Sequence, residues 1–137
     1  MTAAIDTLML VDDSEIDQLI YARLALRSGI VGSLRQFMDA AEAFDYLLQV
    51  HPPEPDLILL DINMPGMNGF DFLAAVEARF GPGPLPMVAM LTSSLNPADR
   101  RQAERHRRVQ AFLNKPLTPR HLAELGKSFG RHDTGDD

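Results

Sequence analysis

Two kinds of segment alternate along this chain. Residues 7–11, 57–60 and 87–91 are apolar at nearly every position. A run without polar alternation suits a strand covered on both faces. Residues 33–37 and 111–113 are weaker versions of the same pattern. Between the runs, apolar residues recur three or four apart, as on one side of a helix. Ile16, Leu19, Ile20 and Leu24 form one such stripe, with Ser14 and Asp17 as its capping pair and Gly29 as its stop. Asp39 with Glu42 opens a second, whose apolar positions are Ala40, Ala43, Phe44, Leu47 and Leu48. A third helix is expected over 70–80, closed by Gly81-Pro82-Gly83-Pro84. A fourth, polar one starts at Asn96-Pro97. The last opens at Thr118-Pro119 and carries Leu122, Leu125 and Phe129, with Gly130 behind it. Residues 51–55, with three prolines, read as a loop, and 131–137 as a frayed polar tail.

Five strands alternating with five helices predict an α/β doubly wound (βα)5 fold with a parallel sheet, flavodoxin-like in its strand order 2-1-3-4-5. One domain over 1–137 is expected, with its core at about 6–129, since domains run to ~100–150 residues. In such sheets ligands bind beyond the carboxyl ends of the strands, where the strand order reverses. The residues just past those ends are Asp12 and Asp13, Asp61, Thr92 and Lys115. The fold should gather them.

Composition narrows what they can do. The chain has 137 residues, no cysteine and a formal charge of −6. Absence of cysteine excludes thiolate metal sites, disulfide frameworks and cysteine nucleophiles. The acidic balance argues against nucleic acid as a partner. No run approaches a membrane span, and the N-terminus has no basic, apolar leader, so a cytoplasmic protein without membrane association is expected. Three carboxylates against one ammonium leave the cluster at −2. Like charges 4 Å apart repel by about 1 kcal/mol in water and about 4 kcal/mol at an effective dielectric near 20. An all-oxygen site of that kind suits Mg²⁺ or Mn²⁺ rather than zinc. It also suits phosphoryl transfer, in which the cation offsets charge on the transferred group. Asp61, at the end of the central strand, is the expected nucleophile, able to form an acyl phosphate. Asp12 and Asp13 would hold the metal, while Lys115 and the Thr92 hydroxyl would meet phosphoryl oxygens.

The stretches Leu10-Val11-Asp12-Asp13-Ser14, Leu59 to Gly69 (LLDINMPGMNG), Leu91-Thr92-Ser93 and Asn114-Lys115-Pro116 together closely resemble the response-regulator receiver domain of two-component signalling, over about 6–129. The resemblance implies Asp61 as phosphoacceptor, charged by a sensor histidine kinase or a phosphotransfer protein. It implies a cation held by Asp13, Asp61 and the Asn63 backbone carbonyl, with Asp12 acting largely through water. It further implies Thr92 and Lys115 as phosphoryl sensors, a cis Lys115–Pro116 bond and Phe112 as the switch aromatic, moving a face built from helix 4, strand 5 and helix 5. A stand-alone regulator or phosphorelay intermediate is expected, not an enzyme, serving a phytochrome-type or hybrid kinase. A homodimer through that same face is a further expectation. Two departures stand out. Arg107-Arg108-Val109-Gln110-Ala111 replaces the small-residue turn many receivers carry before strand 5, and Phe112 lacks a hydroxyl.

Other readings stay open at this point. An aspartyl-nucleophile phosphohydrolase would want an acid two residues after Asp61, where Asn63 stands. A flavin site would want amides and hydroxyls in the first loop, which instead reads Asp12-Asp13-Ser14-Glu15. A phosphorylation-independent interaction module is the last alternative. The basic run Arg100, Arg101, Arg105, His106, Arg107 and Arg108 reads as a solvated face or a docking surface. His51, His106, His121 and His132 show no metal-ligand spacing.

Overall fold

The computed structural model describes residues 3–49 and 55–134. Strands and helices alternate as β1 (Ile5–Val11), α1 (Glu15–Ser28), β2 (Val31–Phe37), α2 (Ala40–Gln49), β3 (Leu57–Leu60), α3 (Gly69–Phe80), β4 (Met87–Thr92), α4 (Pro97–Glu104), β5 (Val109–Asn114) and α5 (Pro119–Thr134). All strand pairings are parallel, and the order is β2-β1-β3-β4-β5. This is the expected flavodoxin-like doubly wound α/β fold. β1, β2 and β5 each begin two residues earlier than the apolar runs suggest, because backbone pairing does not require every residue to be apolar.

The sheet divides the core in two. Leu8 and Leu10 of β1 face one side, with Leu57, Leu59, Ala89 and Leu91, and meet Tyr21 and Ala25 of α1 and Leu122 and Leu125 of α5. Met9 and Val11 face the other, with Ile58, Leu60, Val88 and Met90, and meet Ala43 and Leu47 of α2, Phe72, Leu73 and Val76 of α3 and Ala103 of α4. This alternation is the strand period of two, and both faces are apolar because both are covered.

Helix starts follow the cap residues. Ser14 Oγ accepts the Asp17 N–H at 3.2 Å, and Gly29 ends α1 in the left-handed region at φ 74°. Asn68 and Asp71 form a reciprocal capping box at α3. Asn96 caps α4, with Pro97 as its first residue.

Three expectations are corrected. Of the α1 stripe, Leu24 packs partly against the core, but Ile16, Leu19 and Ile20 do not face it. These side chains are 69%, 57% and 50% exposed, while Gln18, Tyr21 and Ala25 are buried. α1 carries apolar residues nearly all round, so periodicity alone does not choose its buried side. Gly130 does not stop α5, which continues to Thr134, since a single glycine costs a helix only about 1 kcal/mol. Arg108 is not part of a solvated face: it is wholly buried. Its guanidinium donates to the carbonyls of Gly81, Leu85 and Pro86, and its Nε lies 3.5 Å from Glu77 Oε2. Arg100, Arg101, Arg105 and Arg107 remain exposed. The proline-rich stretch apart from Pro55, the side chains of Phe129 and His132, and residues 135–137 lie outside the described residues.

Candidate functional site

Register brings the strand ends together. Val11 pairs with Phe37 on one side and Leu60 on the other. The next residues, Asp12 and Asp61, therefore emerge side by side, and the Asp61 N–H donates to the Val11 carbonyl at 3.0 Å. At the other half of the sheet Thr92 pairs with Asn114, and the Lys115 N–H donates to the Thr92 carbonyl at 2.8 Å. The Lys115–Pro116 peptide is cis.

Asp12 and Asp61 are buried and Asp13 is exposed, yet each offers a carboxylate oxygen within 4.8 Å of the others. Lys115 Nζ reaches into the same cluster. It lies 2.9 Å from Asp12 Oδ2, 3.5 Å from Asp61 Oδ2 and 2.8 Å from Asp17 Oδ2. Asp12 Oδ1 accepts the Ser14 N–H at 2.9 Å. Asp12 Oδ2 is buried and, despite its nearness to Lys115, is not aligned for a hydrogen bond. A buried, anionic oxygen without an aligned donor, beside two further carboxylates, fits a hard divalent cation.

The electrostatics agree. Burial pushes the Asp61 carboxyl up to about 6; Lys115 pulls it down, Asp12 pushes it up, and the Asn63 N–H pulls it down. Burial alone would depress the Lys115 ammonium, but the adjoining carboxylates of Asp12 and Asp17 outweigh it and hold the group above the ordinary lysine range. At neutral pH Asp61 is thus an ionised carboxylate in a place that resists its charge. A nearby cation would offset that charge.

The loop after Asp61 has little room. A Cβ at Gly69 would meet the Asp61 carbonyl at 2.5 Å and Ile62 Cα at 2.8 Å, so glycine lets α3 begin directly against the Asp61 backbone. Asn63 is exposed on that loop. Thr92 is wholly buried, and its Oγ1 accepts the Ser94 N–H at 3.0 Å. Phe112 is half-buried against the core on the α3 side. The Arg100 guanidinium covers its ring, 5.0 Å from the centroid.

Two residues at the site escape a reading of the motifs. Asp17 reads as a capping residue, and its pairing with Lys115 spans 98 positions. Gln18 reads as a polar helix position, but it is buried. Its Nε2 donates to the carbonyls of Asp12 at 2.9 Å and Phe37 at 2.8 Å, tying α1 to the ends of β1 and β2. Its Oε1 accepts from Gln36 at 2.7 Å. The one available signal is a polar residue sharing a helix side with Tyr21 and Ala25.

Comparison with known proteins agrees with this arrangement. The profile of the response regulator receiver domain matches residues 8–126. The chain is 32% identical over 130 residues to the aerobic respiration control sensor protein ArcB of Escherichia coli K12, covering 94% of this chain and 15% of ArcB. Curated relatives differ in length, and the chain spans from 14% of one to 72% of another. A two-component response regulator from Cytophaga hutchinsonii superposes with a TM-score of 0.84 at 29% identity, over 91% of this chain and 96% of that one. The phosphorylated cyanobacterial phytochrome response regulator RcpA superposes with a TM-score of 0.72 at 25% identity, over 92% and 91%. With a profile match across most of its length and the acidic cluster at its strand ends, the chain belongs to the response regulator receiver domain family.

Proposed function

We propose that this protein is a phosphoacceptor switch. Asp61 takes a phosphoryl group from the phosphohistidine of a sensor histidine kinase or phosphotransfer protein. An Asp61 carboxylate oxygen attacks phosphorus, the P–N bond breaks, and its electron pair stays with the imidazole, which leaves neutral when its other nitrogen carries a proton. The product is an aspartyl phosphate. Asp12, Asp13, Asp61 and the Asn63 carbonyl would hold Mg²⁺ or Mn²⁺. Once bound, the cation neutralises charge on the transferred oxygens. Lys115 and Thr92 would meet the remaining phosphoryl oxygens. The single observation that carries this reading is a buried Asp61 carboxylate with two acids and a lysine converging on it.

The role is that of an acceptor rather than a turnover enzyme, because Asn63, two residues on, carries an amide too weakly acidic to protonate a leaving group. Similarity to ArcB and RcpA supports a hybrid or phytochrome-type kinase as donor. The exposed side chains Ile16, Leu19 and Ile20 lie on α1, which starts beside Asp13. They offer a helical, histidine-bearing partner an apolar footing within reach of Asp61. A phosphoryl group adds about −1.5 to −2 charge and three acceptor oxygens. Drawing Thr92 and Lys115 toward it would strain the β4–α4 and β5–α5 connections and shift Phe112 beneath Arg100. The output face, and any homodimer, would then be α4, β5 and α5.

The test is incubation with Mg²⁺ and acetyl phosphate or phosphoramidate. Wild type should gain one phosphoryl group by mass, released by hydroxylamine, and Asp61→Asn should gain none. No gain in wild type, or a gain in Asp61→Asn, overturns the assignment.

A further inference from the structure

Lys115 faces one carboxylate more than the cation cluster accounts for. Asp17 is not among the three acids that converge as a cation site, yet its Oδ2 makes the shortest contact to Nζ, 2.8 Å against 2.9 Å for Asp12 and 3.5 Å for Asp61. Its place on α1 explains why it is available. Asp17 is the third residue of the helix, where an acid commonly reaches back to the backbone N–H of the cap residue. That N–H, on Ser14, is already taken by Asp12 Oδ1 at 2.9 Å. The Asp17 backbone is held by the Ser14 hydroxyl, and its carboxylate is left to turn across the site. An ammonium has three hydrogens. Asp17 and Asp12 lie at full contact distance, and Asp61, the reacting group, is the most distant of the three.

We propose that Asp17 is a positioning residue that holds Lys115 back from Asp61 until a phosphoryl group arrives, and so sets how strongly the site favours the phosphorylated state. This rests on the phosphoacceptor reading above. With Asp17 in place, Lys115 must leave a 2.8 Å ion pair to meet a phosphoryl oxygen. That same ion pair keeps the ammonium from crowding Asp61 when only a cation is bound. Neutralising Asp17 therefore has opposite consequences for the two ligands: phosphoryl binding strengthens, because Lys115 is released to it, and binding of the cation alone weakens, because the released ammonium leans on Asp61 and Asp12.

The experiment measures binding of Mg²⁺ alone, and of beryllofluoride in saturating Mg²⁺, to wild type, Asp17→Asn and Glu15→Gln. Glu15 is exposed in the same helical turn and is not among the Lys115 partners, so its variant controls for loss of a charge near the site. Asp17→Asn keeps the Ser14 cap, which uses backbone. Asp17→Asn should bind beryllofluoride roughly threefold to fivefold more tightly and Mg²⁺ alone more weakly by a similar factor, the range of one partly exposed ion pair. Glu15→Gln should stay within about twofold of wild type for both. In a Lys115→Ala background the Asp17→Asn effect should vanish. Equal behaviour of Asp17→Asn and Glu15→Gln, movement of both ligands in the same direction, or persistence of the effect without Lys115 overturns the proposal. Wild type that binds neither ligand instead overturns the phosphoacceptor reading.

Discussion

Asp61 shows how one residue carries opposing demands. Its carboxyl is pushed up to about 6 from the usual value near 4, chiefly by burial. The native state therefore keeps a proton that the unfolded chain has already released between about pH 4 and 6. As pH rises through that window the native state loses stability, on the order of 3 kcal/mol in total. Replacement by an amide of the same shape removes that penalty. Lys115 loses little, because Asp12 and Asp17 lie closer to it than Asp61 does. In EDTA at pH 7.5, Asp61→Asn should melt about 10 °C above wild type, and the gap should close as pH falls toward 4. Thermal unfolding across that pH range checks it, and a less stable variant at pH 7.5 would refute it. Five of the site's side chains were legible in the sequence because each stands at or just past the carboxyl end of a strand, where topology dictates convergence. Asp17 and Gln18 were not, since within a helix the chain does not say which way a polar residue turns.

α1 is where the element scale matters. Its apolar positions suit two different sides, one through Ile16, Leu19 and Ile20 and one through Tyr21, Leu24 and Ala25. The sheet takes the second, with Gln18 beside it, because Gln18 can satisfy the carbonyls at the ends of β1 and β2. Burying a polar group that completes a hydrogen-bond set costs little, whereas those carbonyls without a donor cost about 1–3 kcal/mol each. By contrast, the apolar side of α2 does face the core: Ala40, Ala43 and Leu47 are buried and Phe44 packs partly against them, with Leu48 at its exposed edge. The exposed side of α1 is then free for a partner. The double variant Leu19→Gln, Ile20→Gln should leave stability within about 1 kcal/mol of wild type, as exposed substitutions do. It should still accept phosphate from acetyl phosphate at the wild-type rate, while transfer from a phosphorylated histidine partner falls at least roughly tenfold, a loss of about 1.4 kcal/mol of docking. Equal loss with both donors would move α1 from docking to chemistry.

Across the whole molecule the two ends of the sheet have separate work. The carboxyl ends collect like charge, in a protein already at −6. The lead-in to β5, at the other end, is held by a buried cation: Arg108 joins the α3 end and the 81–86 connection through three carbonyls and Glu77, with His106 Nδ1 3.2 Å from Glu77 Oε1. The departure from a small-residue turn at this point was visible in the sequence. Its burial was not, because an arginine in a basic run gives no sign that carbonyls from a connection more than twenty residues away will surround it. Arg108→Ala leaves those carbonyls without their donor and Glu77 without its ion-pair partner, and should cost about 3–5 kcal/mol. The acidic end should not sense the change, since distant sites without shared partners add independently. A cation that binds only the native state stabilises it by RT ln(1 + [L]/Kd), about 2.7 kcal/mol at a hundredfold excess over Kd. Mg²⁺ should therefore raise the unfolding free energy of Arg108→Ala by the same increment as wild type, and should raise that of Asp13→Asn by far less. Denaturant titrations with and without Mg²⁺ measure both increments. If Arg108→Ala also loses the Mg²⁺ increment, the two ends are coupled, and the buried arginine belongs to the switch rather than to the scaffold beneath it.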